Sequence, residues 1–323
     1  MNMYNAIKTF NTQFGFEPKI ENLNNLQRRE KFVVAGMGGS HLAADLFSII
    51  NPELDIEIHK DYGLPALPDL KNRFLIASSY SGNTEETVSA FLEARKHKIP
   101  VAAIAVGGKL MELAKKFKVP YVQLPDLQIQ PRSALGVSIM AMFALMNDRR
   151  LLKEASHLKS RLRPDKIEAV GKALAYRIKG KVPVVYSSSE NAPIAYNWKI
   201  KLNETGKIPA FMNVLPELNH NEMNGFDVHP STRPLSRVFH FLLLKDKNDN
   251  EHVQKRMEVL ASLYEARKLP VMTLELKGKT VLEKIFSSLL LADWLAYHTA
   301  TLYKVDPEQV PLVEEFKKLI AKR

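Results

Sequence analysis

Short β-branched runs alternate with longer amphipathic runs along this chain, and the rhythm starts again past its middle. In the first half, residues 31–35, 56–59, 73–78, 101–106 and 121–123 read as strands, and 41–50, 85–97, 109–117 and 133–147 have helical spacing. In the second half, residues 182–186, 208–213, 238–244 and 271–276 are strand-like, and 192–204, 251–268 and 280–303 are helical. A strand, a helix and a further strand close into a sheet when the helix crosses over one face, so repeated alternation predicts parallel sheets covered on both faces. The right-handed crossover rule then fixes where each helix packs. The expected fold class is α/β: two similar domains, each a mostly parallel sheet flanked by helices on both faces. The charged stretch 147–164 ends in a proline and separates the halves, which puts the domains at 1–152 and 153–323.

The length of 323 residues suits two domains of ordinary size, each able to bury a full core without staples. The absence of cysteine excludes a disulfide framework, a thiolate metal site and a cysteine nucleophile, and it suits a reducing compartment; a cytoplasmic protein is expected. The first twenty residues lack the basic start and apolar run of a signal peptide. Residues 285–303 form the most apolar helix-like segment, but Asp293 and His298 interrupt it, so it reads as a packed helix rather than a membrane span. The formal charge is +11, yet the basic residues are dispersed among acids and no nucleic-acid-binding motif stands out. A phosphorylated small molecule would benefit from the same field.

Two loops of the first half follow strands and enter helices, and in a parallel sheet such loops share the carboxyl edge where ligands bind. Gly38-Gly39-Ser40 offers backbone N–H groups without Cβ obstruction, at the positive end of the helix that follows. Ser79-Tyr80-Ser81-Gly82-Asn83-Thr84 brings three small hydroxyls and a glycine just before a helix, with Asn83 and Glu86 in capping-box spacing. A phosphate needs many short donors converging from one side, and Ser, Thr and backbone N–H supply them without bulk. Other phosphate motifs fail: His41 stands at the third glycine of a dinucleotide fingerprint, and Gly107-Gly108-Lys109 lacks the spacing of a P-loop and reads as a turn.

These two loops resemble the phosphate loops of sugar isomerase (SIS) domains. Pro131-Arg132-Ser133-Ala134-Leu135-Gly136, Asn203-Glu204-Thr205-Gly206-Lys207 and Leu218-Asn219-His220-Asn221-Glu222 are similar to the corresponding segments of the bifunctional phosphoglucose/phosphomannose isomerase branch. The resemblance spans most of the chain. It implies an aldose–ketose isomerase of hexose 6-phosphates, with Gly39, Ser40, Ser79, Ser81 and Thr84 on the phosphate. Arg132 would face an enediolate or the substrate's anionic end, where a guanidinium fits.

Aldose–ketose isomerisation needs one base that takes a proton and returns it, and no redox cofactor. Glu204, at the predicted end of an apolar helix with Gly206 as its C-terminal cap, is the candidate base. Ring opening needs an acid and a base near neutral pH, which suits His220. By resemblance His220 reaches the partner subunit's site in a homodimer, Lys304 shares the ring-opening role, and Thr301 bears on tolerance of both C2 epimers. Glu222 receives no role, and His298 on its apolar helix reads as a core histidine. Neither a cofactor nor a metal is expected: the spacing of His220, Asn221 and Glu222 is poor for zinc. A sugar-phosphate sensor using the same loops is the alternative, but about 30 residues before the first strand leave too little chain for a helix-turn-helix domain.

Overall fold

In a computed structural model that describes residues 1–320, the chain divides into two compact units. The first comprises residue 1, residues 8–164 and residues 280–283; the second comprises residues 2–7, 165–279 and 284 onward.

The first unit is built on six strands: β1 (Ile20–Glu21), β2 (Phe32–Ala35), β3 (Ile56–His59), β4 (Phe74–Ser78), β5 (Val101–Ala105) and β6 (Tyr121–Gln123). Their order is β1-β6-β5-β4-β2-β3, parallel throughout except for the edge strand β1, which pairs antiparallel with β6. β2, β4 and β5 are buried along their whole length. That burial explains their unbroken apolar runs, because a central parallel strand meets helices on both sides. Each Val, Leu, Ile or Phe side chain so removed from water contributes about 1.5–3 kcal/mol. The second unit holds β7 (Val182–Ser188), β8 (Phe211–Leu215), β9 (Phe239–Lys245) and β10 (Val271–Glu275), all parallel, in the order β10-β9-β7-β8. The helix Val281–Tyr303 buries Ile285, Phe286, Leu289, Trp294, Leu295 and Ala300. Among the described residues no helix is long and apolar enough to cross a membrane.

Residues 147–164 form the helices Arg149–Ser156 and Leu158–Arg161, the first capped by Asp148, whose carboxylate accepts from the Leu151 N–H. Two local expectations are corrected. Asn83 does not cap the helix Glu85–Lys96, whose N-cap residue is Thr84; its Oδ1 accepts instead from Lys109 N at 2.9 Å, near the start of the helix Gly108–Lys116. Gly206 is not the left-handed cap of the helix Ala192–Glu204, since the positive φ falls on Lys207. A glycine is required there for close approach, because a Cβ on Gly206 would lie 2.6 Å from the Leu202 carbonyl oxygen.

Candidate active site

In the first sheet the chain leaves β2 toward β3 on one side and leaves β4 toward β5 on the other. The adjacent carboxyl ends of β2 and β4 therefore flank a topological switch point, where an open parallel sheet leaves a crevice for a ligand. The glycine-serine loop emerges from β2 and the serine loop from β4. They are bonded to each other: the Ser40 hydroxyl accepts from Tyr80 N at 2.9 Å, and the Ser78 hydroxyl donates to the Ser40 carbonyl at 3.2 Å.

The serine loop is shaped by its own hydroxyls. Ser79 Oγ accepts from Gly82 N at 3.1 Å and shares a 2.8 Å hydrogen bond with Thr84 Oγ1, while Ser81 Oγ accepts from Asn83 N at 3.2 Å. Gly82 turns the loop at φ +74, and a Cβ there would sit 1.8 Å from the Gly107 carbonyl oxygen. Ser40 and Ser79 are buried, Thr84 is half-buried and Ser81 is exposed.

A third segment closes against these two. A Cβ on Gly39 would lie 2.5 Å from Arg132 N, so the backbone of Pro131–Arg132 rests directly on the glycine. Arg132 is not a surface residue at a helix start; it is 2% exposed, with Nη1 3.5 Å from Gln130 Oε1. The segment is held by Gln13, which pattern reading passed over because its partners lie more than a hundred residues away. Its Nε2 donates to the Ser133 carbonyl at 2.7 Å and its Oε1 accepts from Gly136 N at 3.0 Å, so it serves an otherwise orphaned donor of the helix Leu135–Leu145. His41, in the first turn of the helix Gly39–Asp45, was also passed over: its Nδ1 lies 2.7 Å from Asp45 Oδ2, and Asp45 in turn pairs with Lys60. Thus Gly39, Ser40, Ser79, Ser81, Thr84 and Arg132 are gathered at one edge of one sheet.

The second sheet has the same switch point between β7 and β9, but it is filled from within. Ser188 Oγ donates to Asp249 Oδ1 at 2.7 Å, Asn191 Nδ2 donates to the same oxygen at 2.9 Å, and Lys284 Nζ pairs with Asp246. The neighbouring hydroxyls of Ser187 and Ser189 are spent on the carbonyls of Ser188 and Leu215. Burial, with Asp246 and Glu190 nearby, holds Asp249 above the ordinary carboxylate value. Serines alone therefore do not distinguish a phosphate loop; the two acids decide against it here.

The three remaining candidates all lie in the second unit, at two different edges of its sheet. The helix Ala192–Glu204 starts beyond the carboxyl end of β7 and runs back, so half-buried Glu204 ends near the amino edge. Lys304 follows a helix that starts after β10 and runs back the same way; Tyr303 Oη, one residue earlier, accepts from Gly180 N just before β7. Lys207 Nζ donates to the carbonyls of Glu204 and Gln309, tying these two chain ends together. His220 instead follows the carboxyl end of β8, exposed, on the one-turn helix Glu217–His220. The 13-residue helix between the edges spans about 20 Å at 1.5 Å per residue. Thr301 is exposed and donates to the Tyr297 carbonyl. His298 is buried as expected and stacks on Trp294, yet its Nε2, 3.4 Å from Glu168, lacks a well-aligned hydrogen bond. Among the described residues no group of three or more His, Cys, Asp or Glu side chains is placed to hold a metal ion.

Residues 167–320 match the bacterial phospho-glucose isomerase C-terminal SIS domain. A bifunctional phosphoglucose/phosphomannose isomerase of Aquifex aeolicus is 33% identical over 326 residues, covering 99% of this chain and 98% of that protein. One from Thermoplasma volcanium is 36% identical over 299 residues, covering 90% and 92%. A crystal structure of tagatose-6-phosphate ketose/aldose isomerase from Escherichia coli superposes with a TM-score of 0.60 at 16% identity, over 94% of this chain and 88% of that one. Identity at this level across nearly the full length of both sequences places the chain in the bifunctional phosphoglucose/phosphomannose isomerase family.

Proposed function

We propose that this isomerase interconverts glucose 6-phosphate or mannose 6-phosphate with fructose 6-phosphate. The observation that carries the reading is the packing of three segments at the first switch point, where the Ser40 hydroxyl meets Tyr80 N, the Ser79 and Thr84 hydroxyls share a hydrogen bond, and the backbone of Arg132 rests on Gly39. Gly39, Ser40, Ser79, Ser81 and Thr84 hold the phosphate. Glu204 removes the C2 proton of the open-chain aldose, leaving a cis-enediol, and returns a proton to C1 to give the ketose; no external oxidant or reductant is consumed. Arg132 offsets the negative charge of the enediolate. His220 and Lys304 exchange protons at the ring oxygen and anomeric hydroxyl during ring opening.

The placement of Glu204 and His220 at opposite edges of one sheet supports a homodimer in which each site takes its base from one subunit and its imidazole from the other. The same loops that grip phosphate are common to both aldose epimers, which differ only at C2.

A coupled assay with both aldose phosphates tests the base. Glu204→Gln is expected to lower turnover about 10²–10⁴-fold while inorganic phosphate inhibits as before. Mixing inactive Glu204→Gln with inactive His220→Ala subunits is expected to restore about a quarter of wild-type activity, since half the dimers then carry one intact site. Wild-type turnover by Glu204→Gln would remove the base, and no recovery on subunit exchange would remove the shared site.

A further inference from the structure

We infer that Glu222 is the positioning residue for His220, clamping the loop that carries the imidazole; the inference rests on the role given to His220 above. Tyr186 on β7 and Asn213 on β8 are register partners on adjacent parallel strands and present their side chains to the same face of the sheet. Tyr186 Oη donates to Glu222 Oε1, and Asn213 Nδ2 donates to Glu222 Oε2 at 2.5 Å. Each carboxylate oxygen thus has its own donor from its own strand. Asn213 Oδ1 accepts from Val214 N at 2.8 Å, which fixes the orientation of the amide. Burial pushes the Tyr186 hydroxyl far above the ordinary tyrosine value, so it stays protonated and donating.

The chain between this clamp and the imidazole is short and braced. Asn221 separates the two residues; its Nδ2 donates to Glu217 Oε1 at 2.7 Å and its Oδ1 accepts from Glu222 N at 2.5 Å. Behind the clamp, Phe226 sets its ring 4.8 Å from Phe241 and 5.7 Å from Tyr264, edge-on to both. The loop therefore stands on an apolar foot at Phe226 and a charged clamp at Glu222, with His220 exposed at its tip. Phe226 fixes where the loop lies on the sheet. Glu222, two residues from the imidazole, fixes its height and direction. A glutamine could keep its carbonyl oxygen on Asn213 Nδ2 only by turning its N–H₂ toward Tyr186 Oη, which would then have to accept instead of donate.

The test uses the full-length enzyme and three readouts: kcat and KM for isomerisation, the rate of anomer interconversion of glucose 6-phosphate by NMR exchange, and the inhibition constant of inorganic phosphate. Glu222→Ala is expected to slow kcat and anomer interconversion about 10- to 100-fold, the usual cost of a misplaced catalytic group, and to leave the phosphate constant unchanged. Added to His220→Ala, it should cost nothing more, and Tyr186→Phe should give a smaller fall in the same two rates. Should Glu222→Ala fail to fold, Glu222→Gln, which keeps the volume, carries the same comparison. Losses that multiply with those of His220→Ala, or a phosphate constant that moves with kcat, would mark Glu222 as structural only and overturn the inference. Slow anomer interconversion in His220→Ala together with a wild-type rate in Glu222→Ala would sink the positioning role alone. A wild-type rate in His220→Ala would sink the role of His220 itself.

Discussion

Gly82 concentrates the demands of the proposed anion cradle on one residue. It must adopt φ +74 and bring its Cα against the Gly107 carbonyl, where any side chain would collide with backbone. Gly82→Ala therefore forces the serine loop away from the strand end. The expected result is a KM for the sugar phosphate, and an inhibition constant for inorganic phosphate, raised by about tenfold or more, equivalent to about 1.4 kcal/mol of lost binding, with a smaller change in kcat. Unaltered phosphate inhibition in that variant would mean that the loop does not grip the anion. Chemistry at this scale was legible where it is local, since the hydroxyl-rich loop after a strand is written in consecutive letters. It was illegible where partners are distant: nothing near Gln13 announces Ser133 and Gly136, and nothing near Ser188 announces Asp249.

Among the elements, the helix Ala192–Glu204 is the one whose placement matters most for the proton transfer proposed above. Trp198 Nε1 donates to Ser288 Oγ at 3.0 Å, and Lys201 Nζ pairs with Asp293 at 2.6 Å inside the second unit, where both side chains are almost wholly buried. The Lys201 carbonyl also accepts from the N–H groups of Thr205 and Gly206, so one residue ends the helix and anchors it sideways. Lys201→Met removes the buried cation beside Asp293 and should cost about 3–5 kcal/mol of stability; Lys201→Met with Asp293→Leu should recover much of it. Chemical denaturation of the two variants checks this, and equal losses in both would contradict it. The central strands and the helices between them follow from pattern, because a parallel sheet writes its strands as short apolar runs; the two-residue edge strand β1 and the helices Arg149–Ser156, Leu158–Arg161 and Pro164–Arg177 were not legible that way. Helix ends were not legible either: Asn83 and Gly206 match capping statistics, yet the neighbouring helix claims the first and a backbone contact claims the second.

For the molecule as a whole, two buried histidines make stability fall with acid, against the opposite contribution of Asp249. Burial, reinforced by Lys181 and Arg177, holds His240 below the ordinary histidine value, and burial does the same to His298 against the opposing pull of Glu168. Above about pH 6.5 both residues are neutral folded and unfolded; below it the unfolded chain takes up protons first, so stability falls as pH drops toward the depressed native values. The melting temperature should decline between pH 7 and pH 5, and His240→Asn should flatten that slope; an unchanged slope would remove His240 from the account. The two-sheet plan was readable from the repeated rhythm of the sequence, and the first half's loops read as the anion site; that the second switch point is filled from within was not readable, because it rests on Asp246 and Asp249, which read as an ordinary turn. Those acids also fix a stoichiometry. At the second switch point the berth for a dianion is already taken by the chain's own carboxylates, so calorimetric titration with inorganic phosphate should saturate at one equivalent per chain, although the architecture offers two.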